Sequence, residues 1–198
     1  MATKIVLIRH GVTRWNKEKR YCGCMDIGLS KEGKAQAEKL KKHLSGNKFH
    51  KIYSSDRKRA LQTAKIIFKG LKLIQVKGLR EMSFGVMEGL RHDDILKKYP
   101  KEYSRWLENP FKYNIPKAEA LVDFKKRVNC AIRKIVDSNR GKTVAVVCHG
   151  GAIGIFVTGI LKKKDFWRHV PKTTSVTIVE FMKNKPKIKL FNAASHLE

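Results

Sequence analysis

Ile5-Val6-Leu7-Ile8-Arg9-His10-Gly11-Val12-Thr13-Arg14-Trp15-Asn16 is the stretch whose reading decides the fold. Its four consecutive aliphatic residues leave neither face for water, the pattern of a strand covered on both sides in a mostly parallel sheet. Open α/β sheets bind ligands in the crevice beyond the carboxyl ends of such strands. Arg9 and His10 land there. Gly11 allows a sharp turn and leaves the imidazole uncovered, and Arg9 is a fixed planar cation beside it. Phosphate is the ligand that suits this pair. A basic loop on a basic protein would read the same from three residues alone, so a second element is required.

Thr143-Val144-Ala145-Val146-Val147-Cys148 supplies it: a second buried strand that opens into His149-Gly150-Gly151. If the two strands are parallel and adjacent, His10 and His149 face each other across the crevice. A lone core histidine would have no reason to be there.

The 198 residues suit one domain with a full-sized core, spanning 1–198. Lys and Arg number 44 against 17 Asp and Glu, a formal net charge of +27. Such a field steers anionic substrates and also favours adhesion to nucleic acid or acidic membranes, so charge alone does not choose between them. Aromatic residues are few and scattered with no stacking platform, so no specific nucleic-acid partner is expected. No apolar run reaches the ~20 residues of a membrane span. The first residues lead directly into a strand rather than a secretory signal, so a cytoplasmic location is expected. Cys22, Cys24, Cys130 and Cys148 read as free thiols, and Cys22-Gly23-Cys24 lacks the usual zinc-ligand spacing.

Along the chain, residues 16–28 read as a polar surface loop near the site. Ser30 caps a lysine-rich helix over 33–44 with Ala37, Leu40 and Leu44 as its apolar stripe. A short strand at 51–54 precedes a helix capped by Ser55 or Asp56 and running to Gly70. Arg57, Lys58 and Arg59 crowd its first turn, where the helix dipole is already positive, so an anion should lie nearby. One turn into a helix that follows a strand, Arg59 can point back over the sheet toward His10. A third strand is expected over 71–76. Glu81 follows in a non-periodic segment as the candidate proton donor to a departing alkoxide, kept protonated by burial. Helical patterns cover 93–99 and continue through 103–107, residues 110–117 form a lid or loop, and 119–136 is a long amphipathic helix. Residues 152–161 form a helix apolar almost all round, and a hairpin over 175–181 and 188–191 turns near Asn184.

Together the strings Leu7 to Asn16, Arg20-Tyr21-Cys22-Gly23, Leu29-Ser30-Lys31-Glu32-Gly33, Ile52-Tyr53-Ser54-Ser55-Asp56, Arg59-Ala60-Leu61-Gln62-Thr63-Ala64, Leu79-Arg80-Glu81, Phe84-Gly85, Glu88-Gly89-Leu90 and Cys148-His149-Gly150-Gly151 resemble the histidine phosphatase superfamily, the phosphoglycerate mutase-like proteins. Asp165-Phe166-Trp167 and the ending Asn192 to Leu197 look most similar to its α-ribazole phosphatase-like branch, tied to cobalamin biosynthesis. The resemblance implies an α/β three-layer sandwich, a mostly parallel sheet flanked by helices on both faces. By it, His10 would be the nucleophile, forming a phosphohistidine that water hydrolyses, while Arg9, Arg59 and His149 clamp the phosphoryl oxygens. Glu81 would serve as acid and then base, and Thr13, Asn16, Cys22, Gly23 and Gly150 would bind substrate. The resemblance implies no metal and no cofactor. The partner it implies is a small phosphorylated metabolite, with α-ribazole 5'-phosphate the leading candidate; a mutase acting on a phosphoglycerate, or a phosphatase of phosphoserine or a sugar phosphate, is the alternative. A homodimer stays open. Three departures stand out: Val12 and Cys22 stand where the family often has glutamate and glutamine, and Lys117-Ala118-Glu119-Ala120 replaces a Gly-Gly-Glu-Ser string before the long helix. They bear on the substrate rather than on the chemistry.

Overall fold

The computed structural model describes residues 1–163, 165–183 and 185–198. The chain runs β1 (Thr3–Arg9), α1 (Arg14–Lys17), α2 (Lys31–His43), β2 (Lys51–Ser54), α3 (Lys58–Ile67), β3 (Leu73–Gln75), α4 (His92–Lys98), α5 (Pro100–Glu108), α6 (Leu121–Asp137), β4 (Thr143–Cys148), α7 (Gly150–Leu161), β5 (Val176–Met182) and β6 (Lys185–Ala193). The strands form one sheet in the order β3-β2-β4-β1-β5-β6. The first four are mutually parallel, while β5 runs antiparallel to β1 and β6 antiparallel to β5. This is the mostly parallel sheet that the aliphatic runs predict. The turn expected near Asn184 lies outside the described residues.

Alternation along the buried strands splits the core in two. Val6 and Ile8 of β1 pack with Ala37 and Leu40 of α2 and Ala60, Ala64 and Ile67 of α3. Ile5 and Leu7 face the other way, onto Phe124, Val128 and Ile132 of α6 and Ala152 and Ile155 of α7. Three layers result, with the expected helices on both faces.

Several boundaries differ from the sequence expectations for identifiable reasons. Neither Ser55 nor Asp56 caps α3; Arg57 takes the cap position, Asp56 is bound by the Arg80 guanidinium, and the Ser55 hydroxyl turns to His149. The anion called for by the basic first turn is in part a carboxylate of the chain itself, since the Lys58 amide donates to Asp26 at 2.7 Å. The long helix begins at Leu121 rather than 119, because Glu119 is held outside it by its ion pair with Arg127. Pro100 restarts the chain after Tyr99 as the first residue of α5, separating two helices where one continuous pattern was expected. Residues 110–117 form a loop in which Ile115 is buried and the Pro116 carbonyl accepts the Val86 amide; among the described residues none of 110–117 lines the cleft described below.

The turn after β1 is clamped onto α2. The Val12 carbonyl accepts the Ser30 amide and hydroxyl, both at 3.0 Å, and the Val12 amide donates to the Gln36 side chain at 3.0 Å. A Cβ on Gly33 would stand 2.1 Å from the Val12 oxygen. Gly33→Ala should therefore force the α2 terminus away from the turn and destabilise the fold by about 1–3 kcal/mol. Gly46→Ala, where nothing lies within 4 Å, should leave stability unchanged, and thermal denaturation of both variants checks the pair.

Candidate active site

Register builds the site. Arg9 lies opposite Cys148 in the parallel β1–β4 ladder, and the His10 amide donates to the Cys148 carbonyl at 3.0 Å. The next residue of each strand is a histidine, so the two imidazoles meet with ring centroids 5.2 Å apart at 65°.

Their hydrogen bonds fix their tautomers. His10 Nδ1 lies 2.8 Å from the Gly11 carbonyl, which can only accept, so Nδ1 carries the proton and Nε2 keeps its lone pair. His149 Nδ1 accepts from Arg59 Nε at 3.2 Å, so His149 donates from Nε2 to the Ser55 hydroxyl at 2.8 Å. Burial, reinforced by the nearby Arg59 and Arg9, pushes His10 well below the ordinary histidine range. Burial lowers His149 in the same way, with Arg59, His10, Arg9 and Arg127 adding to it. Both rings are neutral near pH 7.

Two guanidiniums flank them. Arg59 is fully buried and donates to the carbonyls of Met25 and Gly23, each at 2.8 Å, so it points at His149 and the 23–25 loop as well as across the sheet. Arg9 donates to the Pro171 carbonyl at 2.5 Å, and its buried Nε has no partner. An unpartnered N–H on a buried cation is an anion hook. The first turn of α7 adds its dipole to the same place, because His149 is the cap residue and Gly150 begins the helix.

Glu81 faces this cluster from the segment after β3. Its two carboxylate oxygens accept the Gly151 amide at 2.8 Å and the Met82 amide at 3.1 Å. Burial still dominates and raises its pKa above the usual carboxylate range. Arg127 holds the segment in place, donating to the carbonyls of Gly78, Arg80 and Glu81 while paired with Glu119. A Cβ at Gly151 would meet Glu81 Oε1 at 2.5 Å, so this glycine makes room for the carboxylate.

A cleft of about 380 Å³ opens over these groups, lined among others by Arg9, His10, Asn16, Cys22, Glu81 and Gly150. Four expected site residues do not line it: Arg59 and His149 are fully buried behind His10, and Thr13 and Gly23 also sit elsewhere. Thr13 is fully buried, its hydroxyl capping the short helix α1 at the Asn16 amide, and Gly23 lies under the cleft with its carbonyl on Arg59. Both shape the pocket from behind. Sequence reading missed Ser55, Arg127 and Thr63, whose hydroxyl accepts the Gly11 amide at 3.0 Å. It also missed the aromatic side of the cleft, Tyr21, Phe84 and Trp167. Ser55 and Thr63 lie inside strings quoted above, whereas nothing in a chain with 44 basic residues marks Arg127. The four cysteines are free thiols, and among the described residues no three His, Cys, Asp or Glu side chains gather to hold a metal ion. Among the described residues no helix is long and apolar enough to cross a membrane.

Residues 5–194 match the model of the histidine phosphatase superfamily (branch 1). The chain is 34% identical to phosphoglycerate mutase-like protein 4 of Arabidopsis thaliana, over 98% of this chain and 87% of that one. It is 30% identical to phosphoserine phosphatase 1 of Hydrogenobacter thermophilus, over 98% and 94% of the two chains. The α-ribazole phosphatase of Shigella flexneri superposes with a TM-score of 0.89 over 96% of each chain at 22% identity, a likeness of fold.

Nitrogen-resolved NMR of the histidine side chains should find the Nδ1–H tautomer at residue 10 and the Nε2–H tautomer at residue 149. Both rings should stay neutral at pH values where free histidine is protonated. Titration of either ring in the ordinary range would contradict this electrostatic account.

Proposed function

The chain belongs to the histidine phosphatase superfamily, and from that premise we propose that it is a phosphatase that hydrolyses a small phosphomonoester through a phosphohistidine on His10. The observation that carries the reading is a neutral His10 at the cleft, its Nδ1–H engaged by Gly11, with Arg9 beside it and the fully buried His149 and Arg59 packed behind. In the first step the His10 Nε2 lone pair attacks phosphorus as the ester P–O bond breaks. Arg9, Arg59 and His149 stabilise the charge carried on the phosphoryl oxygens. The departing alkoxide takes a proton from Glu81, whose carboxyl pKa burial raises above its usual range. Water then enters, Glu81 as carboxylate removes its proton, the new P–O bond forms, and the P–N bond breaks to free His10. No residue is left altered.

Among specific substrates α-ribazole 5'-phosphate is our leading candidate, supported by the sequence strings near Asp165 and Asn192 and by the aromatic side of the cleft. A mutase is the second reading, favoured by the likeness to the phosphoglycerate mutase-like protein. Product analysis with 3-phosphoglycerate and a bisphosphoglycerate primer separates them: free phosphate supports the phosphatase, 2-phosphoglycerate the mutase.

His10→Ala should abolish both turnover and acid-labile phosphate labelling; a variant that hydrolyses phosphomonoesters at the parent rate would rule the mechanism out. Turnover should be unaffected by EDTA. Glu81→Gln should lower kcat about 10²–10⁴-fold on alkyl phosphates and far less on p-nitrophenyl phosphate, whose leaving group needs no proton. The pH profile of kcat/KM has a direction as well. Activity should fall on the acid side only below the ordinary histidine range, where His10 finally protonates, and on the alkaline side above the ordinary carboxylate range, where Glu81 loses its proton.

A further inference from the structure

The phosphate end occupies one part of the cleft, and the rest of its wall has a chemistry of its own. Tyr21, Phe84 and Trp167 line it on one side. They belong to a continuous edge-to-face row: Tyr21 to Phe84 at 5.0 Å, Phe84 to the fully buried Trp106 at 6.1 Å, and Trp106 to Trp167 at 5.1 Å. The row is set before any ligand arrives. Tyr21 has its hydroxyl engaged with that of Tyr103 at 2.7 Å, so what it offers the cleft is ring surface rather than a polar tip.

The lip carrying Asn16, Lys19 and Arg20 is rich in hydrogen-bond donors. Asn16 uses its Oδ1 to accept the Thr13 amide and hydroxyl, both at 3.0 Å, which leaves its NH₂ donor free. Arg20 is turned to Glu18 and the Gly89 carbonyl. Lys19 is exposed, and no carboxylate among the described residues pairs with it. Glu81 is the only carboxylate lining the cleft among the described residues, and two backbone amides already engage it. No free carboxylate therefore lines the cleft for an ammonium group, and a positive charge here would meet Lys19, which no acid among the described residues pairs, beside Arg20, which Glu18 pairs.

We propose that the cleft selects phosphomonoesters whose alcohol carries a flat apolar ring against the Tyr21–Phe84–Trp167 wall and bears no positive charge. This deepens the phosphatase reading of the same site and rests on it. It separates this chain from any relative that acts on an amino-alcohol phosphate, because the same catalytic groups sit beside a wall that rewards ring area and a lip that repels ammonium.

The test compares kcat/KM for three primary alkyl phosphates: 2-phenylethyl phosphate, n-propyl phosphate and O-phosphoethanolamine. The second and third differ chiefly by a methyl against an ammonium. Wild-type protein should prefer phenylethyl over propyl phosphate by about tenfold or more, and Trp167→Ala should collapse that ratio. Lys19→Glu, a surface change that keeps the protein folded, should raise phosphoethanolamine relative to propyl phosphate by about threefold. Comparing ratios between variants cancels leaving-group chemistry. Equal kcat/KM for the ring-bearing and ring-free esters, or ratios unmoved by both substitutions, would overturn the proposal while leaving the phosphatase standing. Absence of hydrolysis of all three together with no labelling of His10 would instead bring down the phosphatase reading itself.

Discussion

The parallel pairing of β1 with β4, in the register that sets Arg9 against Cys148, is the constraint on which the rest depends. Each strand is followed at once by a histidine, so this single register decides that two imidazoles far apart in the chain become neighbours. Side chains alternate along a strand, and a slip of one residue would turn one of the rings toward the other face of the sheet. Burial on both faces forbids that slip. Val6 and Ile8 must meet α2 and α3 while Ile5 and Leu7 meet α6 and α7, and either apolar set turned wrongly would leave several aliphatic side chains without partners.

The charge carried by the site follows from the same burial. Arg59 lies out of water and Arg9 partly so, and desolvating such cations costs several kcal/mol unless good partners are found. Backbone carbonyls of Gly23, Met25 and Pro171 meet part of the need. They are dipoles rather than charges, so an entering phosphoryl dianion is the partner that completes the balance. Burial, with the positive surroundings adding to it, keeps both histidines neutral, which is the state in which one can act as a nucleophile. The net charge of +27 acts at longer range, drawing anions toward the cleft without deciding which of them fits.

Scarce carboxylates staple the loops that carry the pocket. Glu88 accepts the amides of Cys24, Met25 and Phe84 at 2.8–3.0 Å, so one side chain ties the 24–25 loop to the segment around Phe84. Glu119 orients Arg127, which in turn gathers three carbonyls around Glu81. Asp56 and Arg80 join the turn after β2 to the same segment. The irregular stretches that sequence patterns leave blank are thus held by side-chain to backbone bonds, whose partners no local periodicity announces.

What the sequence determined by itself was the strands, the layer architecture and the central chemical group. Hydrophobic runs and periods are local properties of a chain, and a histidine directly after a buried strand can go only to the strand's carboxyl end. His10, Arg9, Arg59, Glu81 and His149 were all legible on that basis or through the family strings that contain them. Tertiary structure alone decided which nitrogen of each ring bears the proton, that Thr13 and Gly23 work from behind the pocket, and that Ser55 faces His149 instead of capping a helix. It alone assembled Tyr21, Phe84 and Trp167 into one wall, since those rings come from three separate segments and meet only because the chain folds back on itself. Contacts between distant segments depend on loop paths and packing, and neither is written in the local pattern of residues.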